Sequence, residues 1–71
     1  MNNWIKYTGE HDKQYYDLKL KTGRLVAHCW PYKGIFNPVN RSNEWPIEGW
    51  RIDEIRVCEM QKNFPTTPTE G

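Results

Sequence analysis

Tyr15-Tyr16-Asp17-Leu18-Lys19-Leu20-Lys21-Thr22-Gly23-Arg24-Leu25-Val26-Ala27-His28-Cys29-Trp30 is the stretch on which the fold turns. Tyr16, Leu18 and Leu20 alternate with Asp17 and Lys19, the period of two that marks a half-buried strand. Residues 25–30 are rich in Leu, Val, Cys and Trp, which suit a pleated surface. Between the two runs, Lys21-Thr22-Gly23-Arg24 supplies the reversal, because Gly23 enters positive φ without steric cost. Two registers compete. A two-residue Thr22-Gly23 loop pairs Leu20 with Leu25, Leu18 with Ala27 and Tyr16 with Cys29. It demands a left-handed Thr22, which a β-branched residue resists. A three-residue Lys21-Thr22-Gly23 loop with a glycine bulge avoids that strain. It pairs Leu18 with Val26 and Tyr16 with His28, and it is the register expected. The second strand carries bulky groups on both faces, so the sheet needs cover on both sides.

Working outward, Trp4-Ile5-Lys6-Tyr7 reads as a short edge strand, and residues 8–14 are polar and turn-like. Pro31 is expected to end the second strand, since proline has no N–H for a ladder. Residues 31–50 read as irregular, with Ile35-Phe36 adding at most a short strand. A connection of that length is usually functional or flexible. It holds Tyr32, Phe36, Trp45 and Trp50, so it is expected to fold back over the sheet. From Ile52 to Met60, Ile55 and Val57 alternate with Glu54 and Arg56. That favours a strand over a helix capped by Asp53 and running toward Lys62. Residues 61–71, with two prolines and three threonines, read as a disordered tail. The expectation is a single small all-β (or β-rich α+β) domain over residues 1–60. Its sheet is a small antiparallel one or an SH3-like partial barrel of about three to five strands, with a long covering loop.

Seventy-one residues suffice for one domain. A chain this short buries only roughly 60% of its unfolded surface. Four Trp, four Tyr and two Phe compensate, because each aromatic buries a large area. The net charge of +1 argues against bulk electrostatic attachment to nucleic acid or to an anionic membrane. Residues 1–33 hold six Lys/Arg against three Asp/Glu, and residues 34–71 hold four against six, a split of +3 and −2 that suits a solvated surface.

The two cysteines, Cys29 and Cys58, form no CxxC pair, so no metal site is expected. The N-terminus has no basic-then-apolar leader and no run long enough to span a bilayer. An intracellular, reducing location follows as an expectation, with both thiols free and buried as small hydrophobes.

Among the titratable groups, His28 and Cys29 are strand neighbours and point to opposite faces, so they cannot act as a base–nucleophile pair. His28 can reach Asp17 or Tyr16 across the hairpin, as an ordinary cross-strand polar pair. His11 lies in a polar loop, where solvation is expected. Asp53 and Glu54 diverge on an extended chain. The glycines form no phosphate-cradling motif. The chain is therefore expected to be neither an enzyme nor a cofactor carrier. Lys6-Tyr7, the run Tyr15 to Arg24 and Tyr32-Lys33 offer a thin version of a single-strand nucleic-acid platform. The stronger reading is protein binding, because Trp and Tyr dominate interface hot spots. The candidate contact residues are Tyr15, Trp30, Tyr32, Phe36, Trp45 and Trp50, with at least one of Tyr32, Trp45 and Trp50 expected to be largely exposed. The occupant would be a partner protein or a second copy of the chain.

The order Trp4-Ile5, Leu18-Lys19-Leu20-Lys21-Thr22-Gly23, Cys29-Trp30-Pro31, Gly34-Ile35-Phe36 and Asp53-Glu54-Ile55-Arg56-Val57 resembles small β proteins of bacteriophage and prophage early regions, over about residues 4–65. The resemblance implies a phage accessory protein that works in the host bacterial cytoplasm. Such proteins bind and inhibit a host enzyme, of the restriction or CRISPR type among others.

Overall fold

In the computed structural model, which describes residues 2–61, the reversal is the three-residue turn with a glycine bulge. The Gly23 N–H donates to the Leu20 carbonyl (2.8 Å), the Leu20 N–H donates to the Arg24 carbonyl (2.8 Å), and Gly23 has φ 91°. Leu18 faces Val26 and Lys19 faces Leu25, as that turn requires. The strands it joins are β2 (Tyr16–Leu20) and β3 (Leu25–Tyr32). Four more complete a single antiparallel sheet: β1 (Ile5–Lys6), β4 (Ile35–Pro38), β5 (Ile47–Glu48) and β6 (Ile52–Val57). The strand order is β1-β6-β2-β3-β4-β5.

The expected register fails at the far end of the hairpin. Tyr16 pairs with Cys29, not His28, because Ala27 and His28 together oppose Asp17 in a β-bulge. His28 sits there at φ 59°, a strained conformation for a residue with a Cβ. Asp17 compensates: its Oδ1 accepts the His28 N–H at 3.0 Å, and its Oδ2 accepts from Arg56 Nε on β6 at 2.9 Å. The extra residue exchanges the two faces of the strand beyond it. Val26 and Cys29 therefore both point into the core, and Trp30 turns to the opposite side.

Pro31 does not end β3. It pairs with Phe36, one step from the Tyr32–Ile35 pair that closes the two-residue Lys33-Gly34 turn. Hydrogen-bonded pairs alternate in an antiparallel ladder, so Pro31 falls at a position that needs no N–H toward β4. On its other side β2 has already begun opposite Cys29. Lys33 and Gly34 have φ 53° and 80°, the primed turn that matches strand twist. Residues 31–50 thus contribute the end of β3, all of β4 and β5 and the start of a 3-10 turn, and the irregular connection shrinks to 39–46. This segment raises the count to six strands.

The core lies on one face: Tyr16, Leu18, Leu20, Val26, Cys29, Phe36, Ile47, Ile52 and Ile55 are buried together. The sheet must curl to achieve this. Strands lie about 4.8 Å apart, so β1 and β4 would be roughly 19 Å apart if the sheet were flat. Yet the Tyr7 ring, one residue past β1, meets the Phe36 ring of β4 at 5.9 Å, edge to face. The ladder stays open, with Tyr7 spanning the gap, as in a partial barrel. On the outer face Trp4 lies across the Lys19 ammonium (5.1 Å) and the Arg56 guanidinium (4.5 Å). The expected disordered tail lies outside the described residues except for Gln61. That residue is fastened: its Oε1 accepts the Tyr15 N–H (2.7 Å) and its Nε2 donates to the Tyr15 carbonyl (2.9 Å).

Asp17→Ala should cost about 2–3 kcal/mol, since it orphans a buried N–H and a guanidinium at once. In a domain of this size that lowers the melting temperature by on the order of 10 °C or more. Asp17→Asn keeps an acceptor for His28 and should lose less; thermal melts followed by circular dichroism make the comparison. A second outcome concerns pH. Burial depresses the His28 imidazolium, with the Asp17 carboxylate opposing the shift, so its folded value lies below the ordinary 6.5. Between those two values the unfolded chain binds the proton more readily. Stability from this group is present above about pH 6.5 and is lost as pH falls through the folded value. His28→Asn, which tolerates left-handed backbone, should lose less melting temperature between about pH 7 and about pH 5 than the parent chain.

Candidate functional site

The six aromatics singled out from the sequence part company in the structure. Tyr15 and Phe36 are interior, so neither offers contact surface. Phe36 belongs to the core because β4 pairs on both sides. Tyr15 is covered by Trp30 (ring centroids 4.9 Å) and His28 (4.3 Å), which the bulge brings to its side of the sheet. The buried Tyr15 hydroxyl and Trp30 Nε1 have no hydrogen-bond partner among the described residues. Trp30 is half-buried, and so is Tyr32, whose ring lies under the Lys33 ammonium at 5.3 Å. Trp45 and Trp50 are the exposed pair, at 57% and 71%.

Both tryptophans sit on a braced segment. Arg51 Nη1 donates to the carbonyls of Glu44 (2.6 Å) and Pro46 (2.7 Å), and its Nη2 donates to Glu44 Oε1 (2.6 Å). Arg24, from the hairpin turn, pairs with Glu44 Oε2 at 3.3 Å. The 44–46 loop is thus folded around one guanidinium, and the Trp45–Pro46 peptide is cis. Trp45 Nε1 donates to Asn37 Oδ1 on β4 at 2.9 Å, which fixes the indole while leaving its face in solvent. Trp50 lies in a 3-10 turn, Gly49–Arg51, that has no buried residue. It is presented rather than packed.

Beside Trp50 a groove of about 550 Å³ runs between the end of β1, the hairpin turn and the 3-10 turn. Lys6, Tyr7, Lys21, Gly49, Trp50 and Asp53 line it. Tyr7 packs tightly on Gly49, where an added Cβ would lie 3.3 Å from its ring. Lys6 Nζ donates to Asp53 Oδ1 at 2.5 Å. That bond lowers the Asp53 pKa and raises the Lys6 pKa, so both stay charged. The Lys21 N–H donates to the Arg51 carbonyl (2.9 Å), which seats the turn against the 3-10 segment. Lys21 is in no ion pair among the described residues.

Elsewhere the reactive groups are muted. Burial pushes the Cys29 thiol up to about 12, so it carries almost no thiolate at neutral pH. Cys58 is raised by the same cause, and both cysteines are free. Asp17 accepts the His28 backbone N–H. His11 is exposed but packs edge-on against Phe36 at 5.2 Å. Among the described residues no three His, Cys, Asp or Glu side chains are grouped to hold a metal ion. No helix among the described residues is long and apolar enough to cross a membrane.

Sequence reasoning missed Arg51, and it placed Tyr7 and Lys21 only in the nucleic-acid reading, not beside Trp50. No local signal marked Arg51, because its partners lie five to seven residues upstream in a loop. The Lys6–Asp53 pair is separated by 47 positions. Known proteins do not narrow the choice of ligand: no protein family, no curated protein and no solved structure matches this chain.

Proposed function

We propose that this chain is a non-enzymatic binding module that engages a partner protein through the Trp45–Trp50 side of its sheet. One observation carries the reading: the two most exposed aromatics among the described residues stand on a single segment that an internal guanidinium holds rigid. Rigid exposed tryptophan supplies large contact area at low entropic cost, and such residues anchor interfaces. The electrostatics support a protein rather than a polyanion. Lys6, Lys19, Arg24, Arg51 and Arg56 each pair with a carboxylate of the same chain. Those pairs weaken the field that a phosphate backbone would meet. The resemblance to small phage early-region proteins extends the proposal to a host enzyme as partner, met in the bacterial cytoplasm, with inhibition as the outcome. A single-stranded nucleic-acid module is the second reading, favoured only by Lys21 standing beside Trp50.

Capture from a bacterial lysate, with and without nuclease, tests this. A protein partner should survive nuclease and be retained by the parent chain. Trp50→Ala or Trp45→Ala should weaken that retention roughly 30-fold, the equivalent of about 2 kcal/mol, with melting nearly unchanged. Recovery of nucleic acid alone, lost on adding salt, would replace the proposal with the second reading. If every variant melts early and none binds selectively worse, the tryptophans are structural.

A further inference from the structure

We infer that the groove beside Trp50 is a recognition site for an extended peptide segment carrying a carboxylate next to an apolar residue. This rests on the protein-binding reading and names the surface and the chemistry of its occupant. The groove is open: the Trp50 rim is 71% exposed and the Lys6 side chain 76% exposed. Small-molecule sites enclose roughly 70–90% of their ligand, which these walls cannot do. A volume of about 550 Å³ suits instead a few residues of a chain lying across it.

Charge selects among such chains. Lys6 is bonded to Asp53, and Lys21, in no ion pair among the described residues, acts on the same carboxylate from farther off, so the groove's two lysines outnumber its one acid and its lining carries a net charge of +1. A single carboxylate on the occupant matches it. A nucleic-acid strand does not, because its repeating phosphates would run over Asp53 as well as Lys21. Trp50 supplies an apolar face for the neighbouring side chain. Its indole N–H is a donor suited to a backbone carbonyl of an extended segment. The walls are preorganised. Tyr7 is held between Gly49 and Phe36, and the Lys21 backbone is bonded to Arg51, so little order has to be gained on binding.

The test uses the full chain and a surface-displayed library of short random peptides. Retained peptides should share one Asp or Glu close to an aliphatic, proline or aromatic residue. Lys21→Glu should exchange that preference for Lys or Arg, and Trp50→Ala should lower retention by about tenfold or more with the melting temperature unchanged. Displacement of retained peptides by oligothymidylate at equal concentration, reversed by salt, would overturn the inference in favour of nucleic acid. So would a library with no enriched class, or the same class enriched by Lys21→Glu. A lysate partner that needs Trp50 but ignores Lys21→Glu would leave the protein-binding reading standing and remove this groove as its site.

Discussion

The Asp17 carboxylate is the point on which the architecture depends. One oxygen accepts the backbone N–H of a left-handed His28, and the other accepts a guanidinium from β6. Three strands therefore meet at one buried acid. A bulge in a central strand leaves its extra residue without a ladder partner, and an orphaned buried N–H costs about 1–3 kcal/mol. Asp17 removes that cost, and the bulge then decides which half of β3 faces the core. Cys29 enters the interior, and Trp30 turns outward to cover Tyr15. The Arg56 that completes the contact lies beneath Trp4, so the outer face is closed by the same set of charges.

Curling is the second constraint, and it follows from small size. Six short strands cannot bury one face by lying flat, because the outer strands would find nothing opposite. Bending brings Tyr7 onto Phe36 and Gly49, which closes the gap with a ring rather than with a seventh strand. The chain must then pass from β5 at one edge to β6 next to the other within three residues. The 3-10 turn makes that passage, and its outer position leaves Trp50 no interior to enter. The exposed tryptophan is in this sense a product of the closure.

The same economy shapes the surface. Most basic side chains of the described region are engaged in intrachain pairs, which dampens the field seen by a polyanion. What remains distinctive is aromatic and local: two indoles on a braced segment, and beside one of them a lysine outside the ion pairs of the described residues. Contact by fixed apolar anchors, oriented by a single charge, is the recognition style that this distribution supports.

Much of the fold was legible in the residues themselves. The alternation of Tyr16, Leu18 and Leu20, Gly23 at the turn, and Ile55 and Val57 on the closing strand each report a local backbone preference, and each is obeyed. The reversal at Lys33-Gly34 was not among them, since lysine is an uncommon first residue for a primed turn. Other features depended on groups distant in sequence. The bulge at His28 requires a carboxylate eleven positions away, so the propensity of residues 25–30 says nothing of it. The strand around Pro31 is permitted only because its neighbours leave that edge without a donor requirement. The groove joins Lys6, Lys21 and Asp53, which no sequence window contains together. The sequence alone carried the period of its strands and the place of its first turn. Which aromatics became core and which stayed in water was decided by tertiary structure, because burial depends on what the folded sheet places opposite each ring.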